Sequence, residues 1–119
     1  MALDIGVGDG SSPVPLRDEP LLALQDDAVY SFLHPLFERL RTETGRYIDL
    51  YGDASFTGWR LAALQRMLVQ ARSLAESLPD KAKLGNPLTR GNLSHLITNW
   101  ERIVARAEEL GRPVVCFGD

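Results

Sequence analysis

The chain has 119 residues, 45% hydrophobic and 24% charged, with a formal net charge of −3. That length suits one domain able to bury most of its apolar surface without disulfides or a metal, and the lone cysteine, Cys116, excludes an internal disulfide. The acidic balance argues against nucleic acid as the main partner, and no apolar run reaches the ~18 residues of a membrane span.

The opening MALDIGVGDG lacks the basic start and apolar core of a secretory signal, so a cytoplasmic location is expected. GVGDGSSPVP then mixes glycine, serine and proline, and Pro13, Pro15 and Pro20 lack amide donors. Residues 1–20 therefore read as an extended or flexible arm, and 21–119 as a single helical domain. After Leu21–Leu24 comes the acidic cluster Asp26-Asp27, which fits either a turn between two short strands or the cap of a helix. Pro35 is comfortable only in a first helical turn, so the first full helix is placed from His34-Pro35 to Thr44, with Ser31 as its cap. Leu33, Leu36, Phe37 and Leu40 form its stripe, and Gly45 its left-handed end.

A second helix is expected from about Ser55 to Leu78, capped by Asp53 or Ser55. Its buried stripe would be Leu61, Leu64, Met67, Leu68, Ala71, Leu74, Ala75 and Leu78. Residues 79–91 read as a loop. A third helix starts near Thr89 to Asn92 and runs through Leu93, Leu96, Ile97, Trp100, Ile103, Val104, Ala107 and Leu110 to Gly111. The tail PVVCFGD is apolar and β-branched, fitting a short strand or an extended segment packed on the helices. The fold class expected from this pattern is mainly α: a compact antiparallel three-helix bundle with an extended N-terminal arm and a strand-like tail.

Charge is uneven along the chain. Asp4, Asp9, Asp18, Glu19, Asp26 and Asp27 face only Arg17 within residues 1–29, whereas Arg60, Arg66, Arg72, Lys81 and Lys83 outnumber Glu76 and Asp80 in residues 60–83. The plain reading packs the acidic arm on a basic helix face. The sharper one steers a basic partner to the acidic side.

No catalytic or cofactor signature stands out. GVGDG lacks the strand before it and the helix after it that a dinucleotide site needs. One cysteine and two histidines at this spacing make no zinc set. His34 and His95 fit packing or surface roles, and Cys116, between Val115 and Phe117, fits a small buried hydrophobe. Asp49 and Asp53 lack the further oxygen ligands of a calcium loop. No cofactor and no metal are expected, and the chain does not read as an enzyme.

The densest stretch is GRYIDLYGDASFTGW, residues 45–59. It carries Tyr47, Tyr51, Phe56 and Trp59 beside Asp49 and Asp53, where ordinary loops are polar. Together, YSFLHPLFERLRTETGRYIDLYGDASFTGWRL at 30–61 and GRPVVCFGD at 111–119 resemble a family of small, acidic, uncharacterised bacterial proteins. Their pattern is an IDLYGD-type segment, two further helices and a closing G-x-P-x-x-x-F-G-D, and several look like immunity proteins of polymorphic toxin systems. Relatives carry a strand-like segment between the second and third helices, where this chain reads KAKLGNPLTRG. The resemblance implies a non-catalytic protein that neutralises a cognate toxin by stoichiometric binding. Tyr47, Asp49, Tyr51, Asp53 and Trp59 would be its partner-binding residues, since aromatics flanked by charge make good contact anchors. Ile48, Leu50 and Phe56 are expected to pack inward. The alternative function is a homo-oligomeric structural or regulatory helical module, at its simplest a homodimer, motivated by the apolar stripe of the third helix.

Overall fold

The computed structural model describes residues 2–80 and 86–118. The loop reading of 79–91 and the cations Lys81 and Lys83 therefore fall partly or wholly outside the described residues. The architecture is α+β, not the expected mainly-α bundle. Four strands, β1 (Leu3–Val7), β2 (Leu21–Leu24), β3 (Asp53–Phe56) and β4 (Val114–Gly118), form one sheet. Their order is β2-β1-β4-β3, with every neighbouring pair antiparallel. Three helices, α1 (Asp27–Thr44), α2 (Trp59–Ala75) and α3 (Arg90–Leu110), bury their apolar stripes against it.

The expected N-terminal arm begins instead as a central strand. Leu3, Ile5 and Val7 alternate toward the helices and are fully buried. Leu24, Ala54, Phe56, Val114 and Cys116 join them in the core. The register puts Asp4, Ala23, Phe117 and Asp53 in one row on the opposite, open face. Apart from Gly6, which lies within β1, the glycines and prolines that suggested an arm belong to the β1–β2 connection. That connection folds back, with the Leu16 N–H donating to the Val7 carbonyl at 2.8 Å. The C-terminal tail is likewise a strand, and a central one, because β1 and β3 flank it.

α1 starts seven residues before His34, on the cap reading of the acidic cluster: the Asp26 carboxylate accepts from the N–H groups of Ala28 (2.8 Å) and Val29 (3.1 Å). Ala28–Leu33 is thus helical rather than a strand, and Ser31 is not a cap. Pro35 lies inside the helix, a position that costs roughly 3 kcal/mol in isolation. Burial of Val29, Leu33, Leu36, Phe37 and Leu40 outweighs it. Pro35 itself is exposed. Pro35→Ala restores one helical N–H without removing core contact, and should raise stability by about 1–3 kcal/mol in urea denaturation.

α2 begins at Trp59, not Ser55. Asp53 and Ser55 point outward and Ala54 and Phe56 inward, a period of two that belongs to a strand. Gly58, at φ +55°, then turns the chain into the helix, where neither Asp53 nor Ser55 serves as cap. The helix closes at Ala75, and Ser77 and Leu78 continue for one tighter turn through bonds to Leu74 and Ala75. Leu74, expected in the buried stripe, is 42% exposed. α3 follows its expected course, with Thr89 as cap, Gly111 as left-handed end, and Trp100 fully buried against Phe37.

Candidate protein-contact surface

α1 runs from the sheet edge at β2 to the opposite edge at β3. Residues 45–52 then make the corner into β3. The corner is tied down from several sides. On α1, Tyr30, His34, Glu38 and Arg41 recur at helical spacing and share one face. The Tyr30 hydroxyl donates to the Ile48 carbonyl at 2.9 Å. Its burial, with the Tyr47 hydroxyl next in effect, raises the Tyr30 phenol far above its usual titration range. His34 Nε2 lies 2.8 Å from the Tyr47 hydroxyl and 3.3 Å from Glu38. The Arg41 guanidinium sits 5.0 Å from the centre of the Tyr47 ring.

Tyr47 is therefore half-buried and acts as a brace. Ile48 is fully buried, Phe56 likewise, and Leu50 packs partly against the core. Asp49 accepts from the Tyr51 N–H at 3.2 Å, a local turn that pushes Tyr51 outward to 69% exposure. The Gly118 N–H donates to the Gly52 carbonyl at 2.7 Å, fastening the corner to β4. Asp53 is exposed on the open face, opposite Phe117 in register.

Trp59 stands at the other end of β3, 56% exposed. The Arg60 guanidinium stacks 4.7 Å from its ring centre while Arg60 Nε donates to the Thr44 carbonyl at 2.9 Å. One arginine thus ties the exposed indole to the end of α1. The structure gathers Tyr47, Asp49 and Tyr51 in the corner, puts Asp53 on the sheet's open face, and leaves Trp59 across β3 from them.

The acids of residues 1–29 do not pack on the cations of α2. Arg66 and Arg72 pair with Glu43 of α1 and Glu101 of α3, and Glu19 pairs with Arg106 at 2.7 Å. His95 sits on α3, 3.2 Å from the Asn99 side-chain amide, whereas His34 on α1 faces Tyr47 and Glu38. Cys116 is buried, and burial pushes its thiol well above the range in which thiolate forms. Among the described residues no three metal-ligating side chains gather.

Sequence reasoning gave His34 a packing or surface role but missed Tyr30, Arg41 and Arg60 as supports, and Phe117 as a group on the open face. The spacing of Tyr30, His34 and Glu38 was the available signal, hidden by starting the helix at His34. No family model matches the chain, no curated protein matches it, and no solved structure matches it.

Proposed function

We propose that the chain is a non-catalytic binding protein, an immunity protein that neutralises a cognate bacterial toxin by stoichiometric association in the cytoplasm. The observation that carries this reading is the exposure of Tyr51 and Trp59 on a backbone clamped by Tyr30, Arg60 and Gly118. Large aromatics held rigid lose little entropy on docking, which is what an anchor requires. Asp49 and Asp53 add negative charge suited to the basic active site of a nuclease-like or other cationic target. Among the described residues no helix is long and apolar enough to cross a membrane.

The homo-oligomer alternative rested on an apolar stripe along α3. Leu93, Ile97, Trp100, Ile103 and Val104 fill the chain's own core, so that motive is gone.

Co-expression with the product of the neighbouring gene is the test. Rescue of growth is expected. In purified form, Trp59→Ala and Tyr51→Ala should each weaken binding by about 2 kcal/mol, roughly 30-fold in Kd, with unfolding midpoints unchanged. A neighbour whose toxicity is unaffected, or variants that bind like the parent, would overturn the reading.

A further inference from the structure

The two edges of the sheet are built differently. At β3 the outward-facing backbone belongs to Asp53 and Ser55, a polar pair. At β2 the strand reads Leu-Leu-Ala-Leu, without charge, proline or bulge. Native edges are usually guarded by such devices.

Alternation of the antiparallel ladder tells which groups of β2 are free. The Gly8 N–H bonds to the Pro113 carbonyl, so the even-numbered residues of β1 turn toward β4. Val7 accepts from Leu16 on the other side, so Leu3 and Ile5 turn toward β2 and bond with Leu24 and Leu22. The N–H and C=O groups of Leu21 and Ala23 therefore point away from the sheet. Among the described residues, no backbone bond from outside the sheet reaches them.

A cleft flanks this edge on each face. The helix-side cleft, about 320 Å³, runs between Leu22, Leu24 and Val29 and the α3 residues Leu93 and Leu96. The open-face cleft, about 340 Å³, is lined by Val14, Pro15 and Leu21, with Asp4 and Arg17 at its side. Val14 and Leu21 are 46% and 50% exposed. An added strand would thus find unpaired amides in line and an apolar trough for the side chains of either face.

We infer that the β2 edge receives an extended segment of a protein partner, apolar in alternate positions and flanked by basic residues, as a fifth strand. Charge decides the occupant. Asp26 and Asp27 stand exposed at one end of β2 and Asp18 at the other, while Glu19 is neutralised by Arg106. Antiparallel pairing of two copies would bring the Asp26–Asp27 end of each strand to the Asp18 end of the other, with Arg17 beside Asp18 as the neighbouring cation in the described sequence. A lysine- or arginine-flanked strand meets opposite charge at both ends. This edge lies across the sheet from Tyr51 and Trp59, so the inference does not rest on the toxin reading.

The experiment titrates the full chain with a synthetic peptide of alternating valine and threonine bearing lysines at both ends. A control peptide carries glutamates instead. Binding of the lysine peptide is expected, weakening as salt rises, with new exchange protection at the amides of Leu21 and Ala23. Ala23→Pro removes an outward N–H while sparing the ladder to β1, and should lower affinity by about tenfold or more. Leu21→Lys leaves the backbone alone, and should weaken the lysine peptide through lost apolar contact and added repulsion. The inference is overturned by no binding, by equal binding of the glutamate peptide, or by protection at Asp53 and Ser55 instead. Concentration-dependent dimerisation abolished by Ala23→Pro would also overturn it, since the occupant would then be a second copy.

Discussion

Trp100→Ala should cost about 3–5 kcal/mol, a large share of the ~5–15 kcal/mol that holds a domain folded. Trp100 is fully buried in mid-α3, 6.2 Å from the Phe37 ring across the helix layer. Removing the indole leaves a cavity that α1 and α3 cannot close without breaking their own packing. Its Nε1 is buried and, among the described residues, has no hydrogen-bond partner, so the native residue carries a desolvation cost. Trp100→Phe sheds that donor and keeps a ring, and should lose only about 1–2 kcal/mol. Urea denaturation monitored by circular dichroism separates the two. An alanine variant within about 1 kcal/mol of the parent would mean that α3 does not pack as described.

Gly118→Ala is the second large effect, and it ties stability to the proposed contact surface. A Cβ there would lie 2.4 Å from the Asp49 carbonyl oxygen and from the carbonyl carbon and oxygen of Leu50. These are backbone atoms, so no side-chain rotation relieves the clash, and the corner must shift. Overpacking of this kind costs about 1–3 kcal/mol, and loss of the Gly118–Gly52 bond adds to it. Because the same backbone presents Tyr51, partner affinity should fall more than for Tyr51→Ala. Gly45→Ala is the control: its φ of +75° strains a side chain, but the space is open. That variant should lose only about 1 kcal/mol and keep its binding. Equal behaviour of the two variants would separate the close approach at Gly118 from any role in holding the corner.

The three helices were legible in outline because an amphipathic helix writes its period locally. α3 is the clearest case: its start near Thr89 to Asn92, its apolar stripe and Gly111 all lie within one contiguous stretch, and the helix runs Arg90–Leu110 with Gly111 as its left-handed end. α1 was misplaced at its start because local rules treat Pro35 as a barrier, whereas burial of Val29 and Leu33 overrides it. The inward turn of Ile48 and Phe56 was readable from the density of apolar residues around them. Which of the neighbouring aromatics would stand exposed was not, because that depends on Arg41, Arg60 and Gly118, remote side chains and strands that meet only in the fold.

The sequence by itself determined most of the helical stripes and the glycine ends of α1 and α3. Only the tertiary structure decided that there is a sheet. Four or five residues of alternation in LDIGV, LLAL or DASF are too few to outweigh nearby glycine, proline and aspartate. Their stabilisation comes from hydrogen bonds to partners far along the chain, as when Leu3 of β1 meets Gly118 of β4. The aromatic, acidic corner before β3 inherits its shape from that pairing. Its residues can be named from the sequence, but the surface they make is set where the two ends of the chain come together.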